Sequence, residues 1–398
     1  MKRHRRNSWH RLGAVVSACL ALGGRPTPAG AKPVLTVVPL TIPSGYVLAE
    51  DRSEPDIPVT SNDRGDVASV IRPVAGGAQS PYVWYADGSR LRLAPPPIAS
   101  FISDPSRPQD FFGIAMQVGA LGPKGELYAL AQANGDAIGA VLVADGFFVY
   151  RRSQRTVLKT ACGSALANFA LDDGSIGQTF RADMSGETPD HVDDGSYAPS
   201  AKIARGSRCI DLGASYLTAS RGEYVAGYRG FVDAKSTIPA TSGIDQGDGY
   251  YVAVRWTDLS PTVLGKGAAL GVNDVGTCVG VDGYPNAEGA EARTNHAMVW
   301  GADGKAKRLV TGDERSAAVG IDDDGHIVGT LVDLTTKKRL AFVTTKSGAV
   351  IRLDDLVRAV DWQLQYATAI LPDGTVVGVG TYRGVAMPFL IHGVAAAI

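Results

Sequence analysis

Between residues 182 and 197 the chain gathers Glu187, Asp190-His191 and Asp193-Asp194. Carboxylates beside an imidazole form a donor set for Ca²⁺ or another divalent ion. Asp190, His191, Asp193 and Asp194 are therefore the candidate metal ligands, although a solvated acidic loop has the same composition. A second stretch, Asp245-Gln246-Gly247-Asp248-Gly249-Tyr250-Tyr251, sets two carboxylates beside tyrosines that could stack on a sugar. Tyr251 also fits the start of a strand. Glu187, Asp245, Asp248 and Tyr250 are the candidate contacts of a ligand-binding face. Asp322-Asp323-Asp324-Gly325 is a third acidic cluster. It lacks the alternate spacing and closing glutamate of a calcium loop and reads as a turn. No organic cofactor is expected, and calcium is the metal that the first stretch would suit.

No catalytic constellation emerges. The sequence holds no Gly-x-Ser-x-Gly elbow, no His-Glu-x-x-His and no phosphate loop. Beyond residue 31 the histidines are His191, His296, His326 and His392. His296 opens a strand and reads as packing. Trp84, Trp256 and Trp300 share one strand position and read as packing between repeats, not as a cofactor box.

The N-terminus is an address. Met1 to Arg6 is basic, Leu12 to Gly24 is a short apolar run, and Ala29-Gly30-Ala31 fits a small-x-small cleavage site. Residues 1–31 are expected to be a signal peptide and 32–398 the folded domain. Val16-Ser17-Ala18-Cys19 also fits a lipoprotein box, which would place a lipid anchor on Cys19. Either route sends the chain to the periplasm, the outer membrane or the medium. No later segment reaches the length of about 20 residues that spans a bilayer. Removing the six basic side chains of the leader from the total of 39 leaves 33 against 40 acidic ones, a net of −7. A mildly acidic domain excludes nucleic acid as the expected partner. Cys162, Cys209 and Cys278 remain after cleavage. Cys162 and Cys209 fall near outer strands of neighbouring repeats and could pair; Cys278 reads as a small buried residue.

The elements that would position these groups come from a repeat. Glycine is abundant, 48 in 398 residues, as tight turns between short strands require. Residues 269–280, 318–329 and 367–378 each read as strand, polar turn with glycine, strand. Turn glycines at 65, 125, 174, 222, 276, 325 and 374 are separated by 60, 49, 48, 54, 49 and 49 residues. Asn and Asp hydrogen-bond the following backbone, and Gly supplies the positive φ that closes the turn. Each repeat continues into a third strand, such as Val254-Arg255-Trp256 or Ala297-Met298-Val299-Trp300, and a fourth, such as Cys209-Ile210-Asp211-Leu212. Four short antiparallel strands per repeat make a propeller blade.

The expected fold is therefore all-β, a seven-bladed β-propeller of four-stranded antiparallel blades. The seventh repeat lacks a fourth strand, and Val34-Leu35-Thr36-Val37-Val38 is a spare one that would close the ring. The second repeat is the least clear, so six or eight blades stay open.

Gly271-Val272-Asn273-Asp274-Val275-Gly276 and His296-Ala297-Met298-Val299-Trp300 resemble the extracellular repeats named for a His-Ala-Phe tripeptide, the HAF repeats. Residues 317–343 and 366–391 match in part, and the first four repeats weakly. The resemblance implies an exported propeller and carries no activity with it. Ser61-Asn62-Asp63-Arg64-Gly65 also partly resembles the Asp-box of sialidase propellers, but Ala68 stands where that box has an aromatic residue.

Blade connectivity sorts the loops. Connections between second and third strands emerge on one face, and the tight glycine turns on the other. The long insertions, 182–197, 232–249 and 281–295, fall in three consecutive repeats and should share one sector of one face. The leading expectation is an exported binding module for a protein or glycan ligand. A cell-envelope or extracellular hydrolase or lyase, and a structural envelope component, are the alternatives.

Overall fold

A computed structural model of the chain describes residues 35–49, 59–137, 140–180, 200–231, 250–283, 295–310, 315–333, 335–358 and 360–398. Its strands form seven antiparallel sheets, six of them built from consecutive strands. Blade 1 holds β3 (Val59–Ser61), β4 (Val67–Pro73), β5 (Ser80–Trp84) and β6 (Arg90–Arg92). A further short strand, β2 (Tyr46–Leu48), pairs with the far end of β4 beside β3. Blade 2 holds β7 (Phe111–Leu121), β8 (Glu126–Ala137), β9 (Ala140–Arg151) and β10 (Gln154–Val157). Blade 3 runs β11 (Leu166–Ala170) to β14 (Arg208–Ala214) through β12 (Ile176–Phe180) and β13 (Ser200–Arg205). Blade 4 holds β15 (Tyr216–Arg221), β16 (Tyr224–Phe231), β17 (Tyr250–Thr257) and β18 (Ser260–Lys266). Blade 5 holds β19 (Ala268–Val272), β20 (Cys278–Val281), β21 (Ala297–Trp300) and β22 (Ala306–Arg308). Blade 6 holds β23 (Arg315–Ile321), β24 (Ile327–Val332), β25 (Arg339–Thr344) and β26 (Val350–Arg352).

Blade 7 is made from both ends of the domain. It holds β27 (Trp362–Ile370), β28 (Val376–Tyr382) and β29 (Val385–Ile391), and its fourth strand is β1 (Val37–Pro39). Val37 faces Ile391 and Val38 faces Leu390. The ring is therefore closed by the N-terminal strand, as expected, and two sheet edges vanish in one pairing. The count of seven is settled by blade 2, whose turn Gly122-Pro123-Lys124-Gly125 lacks the Asn or Asp of the better copies. The spacing of 60 before it holds two short 3₁₀ turns, at Ile98–Ser100 and Pro108–Asp110.

Each seam between blades carries its own apolar cluster. Phe169 and Ile203 of blade 3 meet Trp256 of blade 4. Ala226 and Ala253 of blade 4 meet Trp300 of blade 5. Val279 of blade 5 meets Phe342 of blade 6, and Val328 of blade 6 meets Phe389 of blade 7. Val377 of blade 7 meets Trp84 of blade 1, which brings the series round to its start. The recurrent third-strand aromatic thus fills the wedge against the preceding blade, and Trp256 and Trp300 are buried. Large rings suit that wedge because each removes 150–250 Å² from water, roughly, in one rigid piece.

The turn glycines have positive φ at all seven positions. In six blades the turn is closed identically: the glycine N–H donates to the first turn residue's carbonyl, and that residue's N–H to the carbonyl four residues on. Blade 4 differs, pairing Arg221 with Tyr224 across a two-residue loop. The asparagine of the motif does two jobs. Asn273 Oδ1 accepts the Thr277 N–H at 2.9 Å within its turn. Its Nδ2 donates to the Asp322 carbonyl of the next blade at 3.2 Å. Asn62 repeats this, accepting from Asp66 N–H at 3.0 Å and donating to the Gly122 carbonyl of blade 2 at 2.9 Å. A carboxylate keeps only the accepting half. Asp322 accepts the His326 N–H, and its second oxygen meets His326 Nδ1 at 2.7 Å.

A second glycine follows in the second strand. Gly280, Gly329 and Gly378 each lie beside a bulge in the first strand. A Cβ at Gly329 would stand 1.9 Å from the Ala317 carbonyl oxygen and 2.8 Å from the Phe342 ring. Seam aromatic and bulged inner strand therefore jointly require a bare backbone here.

Cys162, in the link after β10, and Cys209, in β14, are joined by a disulfide with Cα atoms 4.7 Å apart. The bond ties the blade 2–3 link to the outer strand of blade 3. Cys278 is free and buried, and burial pushes its thiol up to about 12.

Two stability outcomes follow. Gly329→Ala should destabilise by about 3 kcal/mol through overpacking, whereas Gly113→Ala, with nothing near its Cβ, should change stability by less than about 0.5 kcal/mol; denaturant melts of both variants check this. Removing the disulfide opens a loop of sequence separation 47, worth about 4 kcal/mol in the chain-entropy model. Melts with and without reductant should show a drop of that order, while Cys278 stays unreactive to thiol reagents until the fold opens.

Candidate functional site

Blade topology sets out two working faces. First-to-second and third-to-fourth turns emerge on a turn face. Second-to-third and inter-blade connections emerge on the opposite, insertion face. The long connections leave the ends of β12, β16 and β20, in blades 3, 4 and 5. Glu187, Asp190, His191, Asp193, Asp194, Asp245 and Asp248 all fall on these connections and lie outside the described residues. Tyr250 is the first residue of β17. It pairs with Phe231, so the strand starts one residue before Tyr251, which pairs with Gly230 and packs edge-on to Tyr228 with centroids 5.0 Å apart. Tyr228 in turn stacks on Tyr216 at 4.8 Å. Among the described residues no three His, Cys, Asp or Glu side chains converge as a metal site.

A charged cavity opens beside the base of the blade 5 insertion. Asp282 follows β20 directly and His296 precedes β21, so the two residues bracket the connection. The Asp282 carboxylate accepts the His296 N–H at 2.7 Å and meets its Nδ1 at 3.1 Å. Arg308, at the end of β22, reaches the same Oδ2 with Nη2 at 2.9 Å. These groups line a cavity of about 480 Å³ with Lys266, Met298 and Trp300. The repeat explains the placement: strands two and four of blade 5 and strand four of blade 4 end on this face, and strand three of blade 5 begins there. A carboxylate that orients an imidazole through Nδ1 leaves Nε2 for acid–base work or for a ligand. The histidine that read as packing is thus half-buried and hydrogen-bonded to Asp282 at the mouth of a cavity. The tripeptide position was a usable signal; the aspartate partner 14 residues earlier was not.

The other face carries an ion-pair network that no local pattern foretells. Arg221, in the blade 4 turn, pairs with Asp63 of the blade 1 turn and with Asp323 of the blade 6 turn, the latter at 2.7 Å. Asp323 also accepts the Asp274 N–H of the blade 5 turn at 3.0 Å. Four turns are thereby tied together across the ring. The third acidic cluster is accordingly an ordinary turn, with Asp322 engaged by His326 and Asp323 by Arg221. Burial raises the Asp323 pKa, but the Arg221 hydrogen bond, the Asp274 amide and the guanidinium charge outweigh it, and the net shift is downward. The Asp323 hydrogen bond raises the Arg221 pKa above its ordinary value. His392 has a modest role, its Nδ1 meeting Thr375 Oγ1 at 3.0 Å.

No family model matches the chain. No curated protein matches it either. A solved structure of a provisionally assigned gluconolactonase is similar at 12% identity, covering 92% of this chain and 93% of its own, with a TM-score of 0.35. At that score the likeness carries no argument about this chain.

The network gives a pH outcome. A carboxylate with a lowered folded-state pKa stabilises above its unfolded value, about 3.9, and loses that contribution as pH falls through the folded value. Arg221→Ala should cost about 1 kcal/mol at neutral pH, because the groups are partly exposed. The difference from wild type should close as pH falls below about 4 in paired urea melts.

Proposed function

We propose that the chain is an exported propeller that works as a binding module, with its ligand face built on the insertions of blades 3, 4 and 5. The ligand class is a protein or a glycan. The observation that carries the reading is topological. Three successive blades have long second-to-third connections, 181–199, 232–249 and 282–296, and the strand ends that flank them lie on one face. In the other blades that connection is short, as between β8 and β9 or β28 and β29. Long loops on a rigid scaffold are where binding concentrates. The Tyr216, Tyr228 and Tyr251 cluster sits at the base of one of these connections and supports aromatic contacts there.

Export is supported by the leader-like residues 1–31 and by the Cys162–Cys209 disulfide, since such bonds persist in oxidising compartments. No helix among the described residues is long and apolar enough to cross a membrane. Lipidation of Cys19 would fix the same domain to the outer membrane. The resemblance to HAF repeats agrees with an exported propeller. Within this reading Asp190, His191, Asp193 and Asp194 would hold a divalent ion on the blade 3 connection.

One observation favours a second reading. The Asp282–His296 pair with Arg308 and Lys266 is a convergent charged group on the same face, as a hydrolase or lyase would need.

The test is a glycan and envelope-protein binding screen on the mature chain, beside variants with 184–197 or 234–247 replaced by short Gly-Ser linkers. The binding reading expects a ligand whose affinity falls at least tenfold, roughly 1.4 kcal/mol, when either insertion is removed. Ligand turnover abolished by His296→Ala would install the hydrolase or lyase reading instead. No ligand at all would leave the structural component. Metal analysis of the same samples checks the blade 3 loop: one divalent ion per chain, lost in Asp190→Asn, is the expected result.

A further inference from the structure

We propose that the wedge between blades 1 and 2 on the turn face is a binding site for an oxyanion, the carboxylate or phosphate of an acidic ligand. The wedge is an open cavity of about 750 Å³ whose walls include Arg64, Lys124, Arg151 and Arg152, with Glu126 and Tyr85. Four cations meet one acid in a chain whose net charge is −1.

The repeat makes the excess conspicuous. Arg64 and Lys124 occupy the same turn position, directly before the turn glycine. Blades 3, 5, 6 and 7 have Asp173, Val275, Asp324 and Asp373 there. Blade 4 has Arg221, whose guanidinium is already held by Asp63 and Asp323. Basic residues at this position that still have charge to offer therefore meet at one wedge alone. Blade 2 adds Arg151 and Arg152 from its third-to-fourth turn.

Local pairing leaves that charge largely available. Arg64 Nε lies 3.7 Å from the buried Asp66 carboxylate, and Arg152 Nη2 3.8 Å from Asp87. Lys124 and Arg151 have no ion pair among the described residues. The one acid of the wall is turned to the backbone, with Glu126 Oε2 accepting the Lys124 N–H at 3.1 Å. The Arg152 guanidinium lies over the buried Tyr85 ring, 5.1 Å from the centroid. Guanidinium forks present paired donors that match carboxylate and phosphate oxygens, and an ammonium adds a point charge beside them. The site lies on the face opposite the insertions, so it stands or falls independently of the proposed ligand loops.

The experiment is calorimetric titration of the full mature chain with three probes: a galacturonic acid trimer, glycerol 3-phosphate and neutral maltotriose. Saturable binding of the uronate, the phosphate or both is expected, with none for maltotriose, and it tells a carboxylated from a phosphorylated source. Affinity should fall as salt rises from about 0.01 to about 0.15 M, where the screening length shortens from about 30 to about 8 Å. The double variant Lys124→Gln/Arg151→Gln should bind at least tenfold more weakly, roughly, with an unchanged melting temperature. Lys346→Gln, on the same face in blade 6, should bind as wild type. If the double variant fails to fold, Lys124→Glu alone is titrated and should show the same loss. Failure of both anions to bind wild type, or equal binding to wild type and variant, overturns the proposal.

Discussion

Everything in this fold hangs on a three-residue strand. Val37, Val38 and Pro39 lie against Ile391, Leu390 and Phe389, and the pairing joins the first described residues of the domain to the last blade. Six blades are continuous hairpin products that fold from neighbouring sequence. The seventh is complete only when the chain's two ends meet. Val37 is buried with Phe389, Ile391, Val328 and Val343, so closing the sheet also closes the seam between blades 6 and 7. An open series would expose a sheet edge and an apolar flank at each end, which is the condition that drives association between chains.

Given closure, the rest of the architecture is a compromise between curvature and packing. Inner strands bulge, and the bulge carbonyl needs room that only Gly280, Gly329 and Gly378 provide. Phe342 and Phe389 then press on Gly329 and Gly378 from the other side. Asparagine at the head of the turn links one blade's turn to the next, and Arg255 adds another such link, from β17 to the Gly276 and Ala302 carbonyls of blade 5. The scaffold is thus tied at its turns and packed at its seams. Length variation is left to the connections on the insertion face and charge variation to the turn positions that precede glycine.

That division explains what could be read from residues alone. A glycine at positive φ has no ready substitute, so the turn positions stay visible even where the flanking strands have drifted. Blade 4 shows the limit: its glycine is present, but its turn is shorter. The third-strand tryptophans of blades 1, 4 and 5 were legible for a similar reason, since Trp84, Trp256 and Trp300 each fill a wedge against the preceding blade. Long-range pairings left no such trace. Arg221 meets Asp63 across 158 positions and Asp323 across 102, and nothing in the local pattern distinguishes those aspartates from any other turn residue. The partner of His296 was hidden because Asp282 stands at the far side of an insertion. β2 was unread because it is a single short strand outside the period. The acidic and tyrosine-bearing loops were found by composition, which says what a loop could bind but not how its side chains converge.

The direct test of ring closure is a cross-link between its two ends. Val38 and Leu390 stand opposite one another in β1 and β29, at the separation of about 5 Å that antiparallel partners share and a disulfide can bridge. A Val38→Cys/Leu390→Cys variant should oxidise within one chain, give a single linked peptide by mass spectrometry, and melt at a higher temperature than its reduced form. Failure to form the bond, or a bond found only between chains, would mean that β1 does not complete blade 7 of its own ring, and the account of a closed seven-bladed propeller would be wrong.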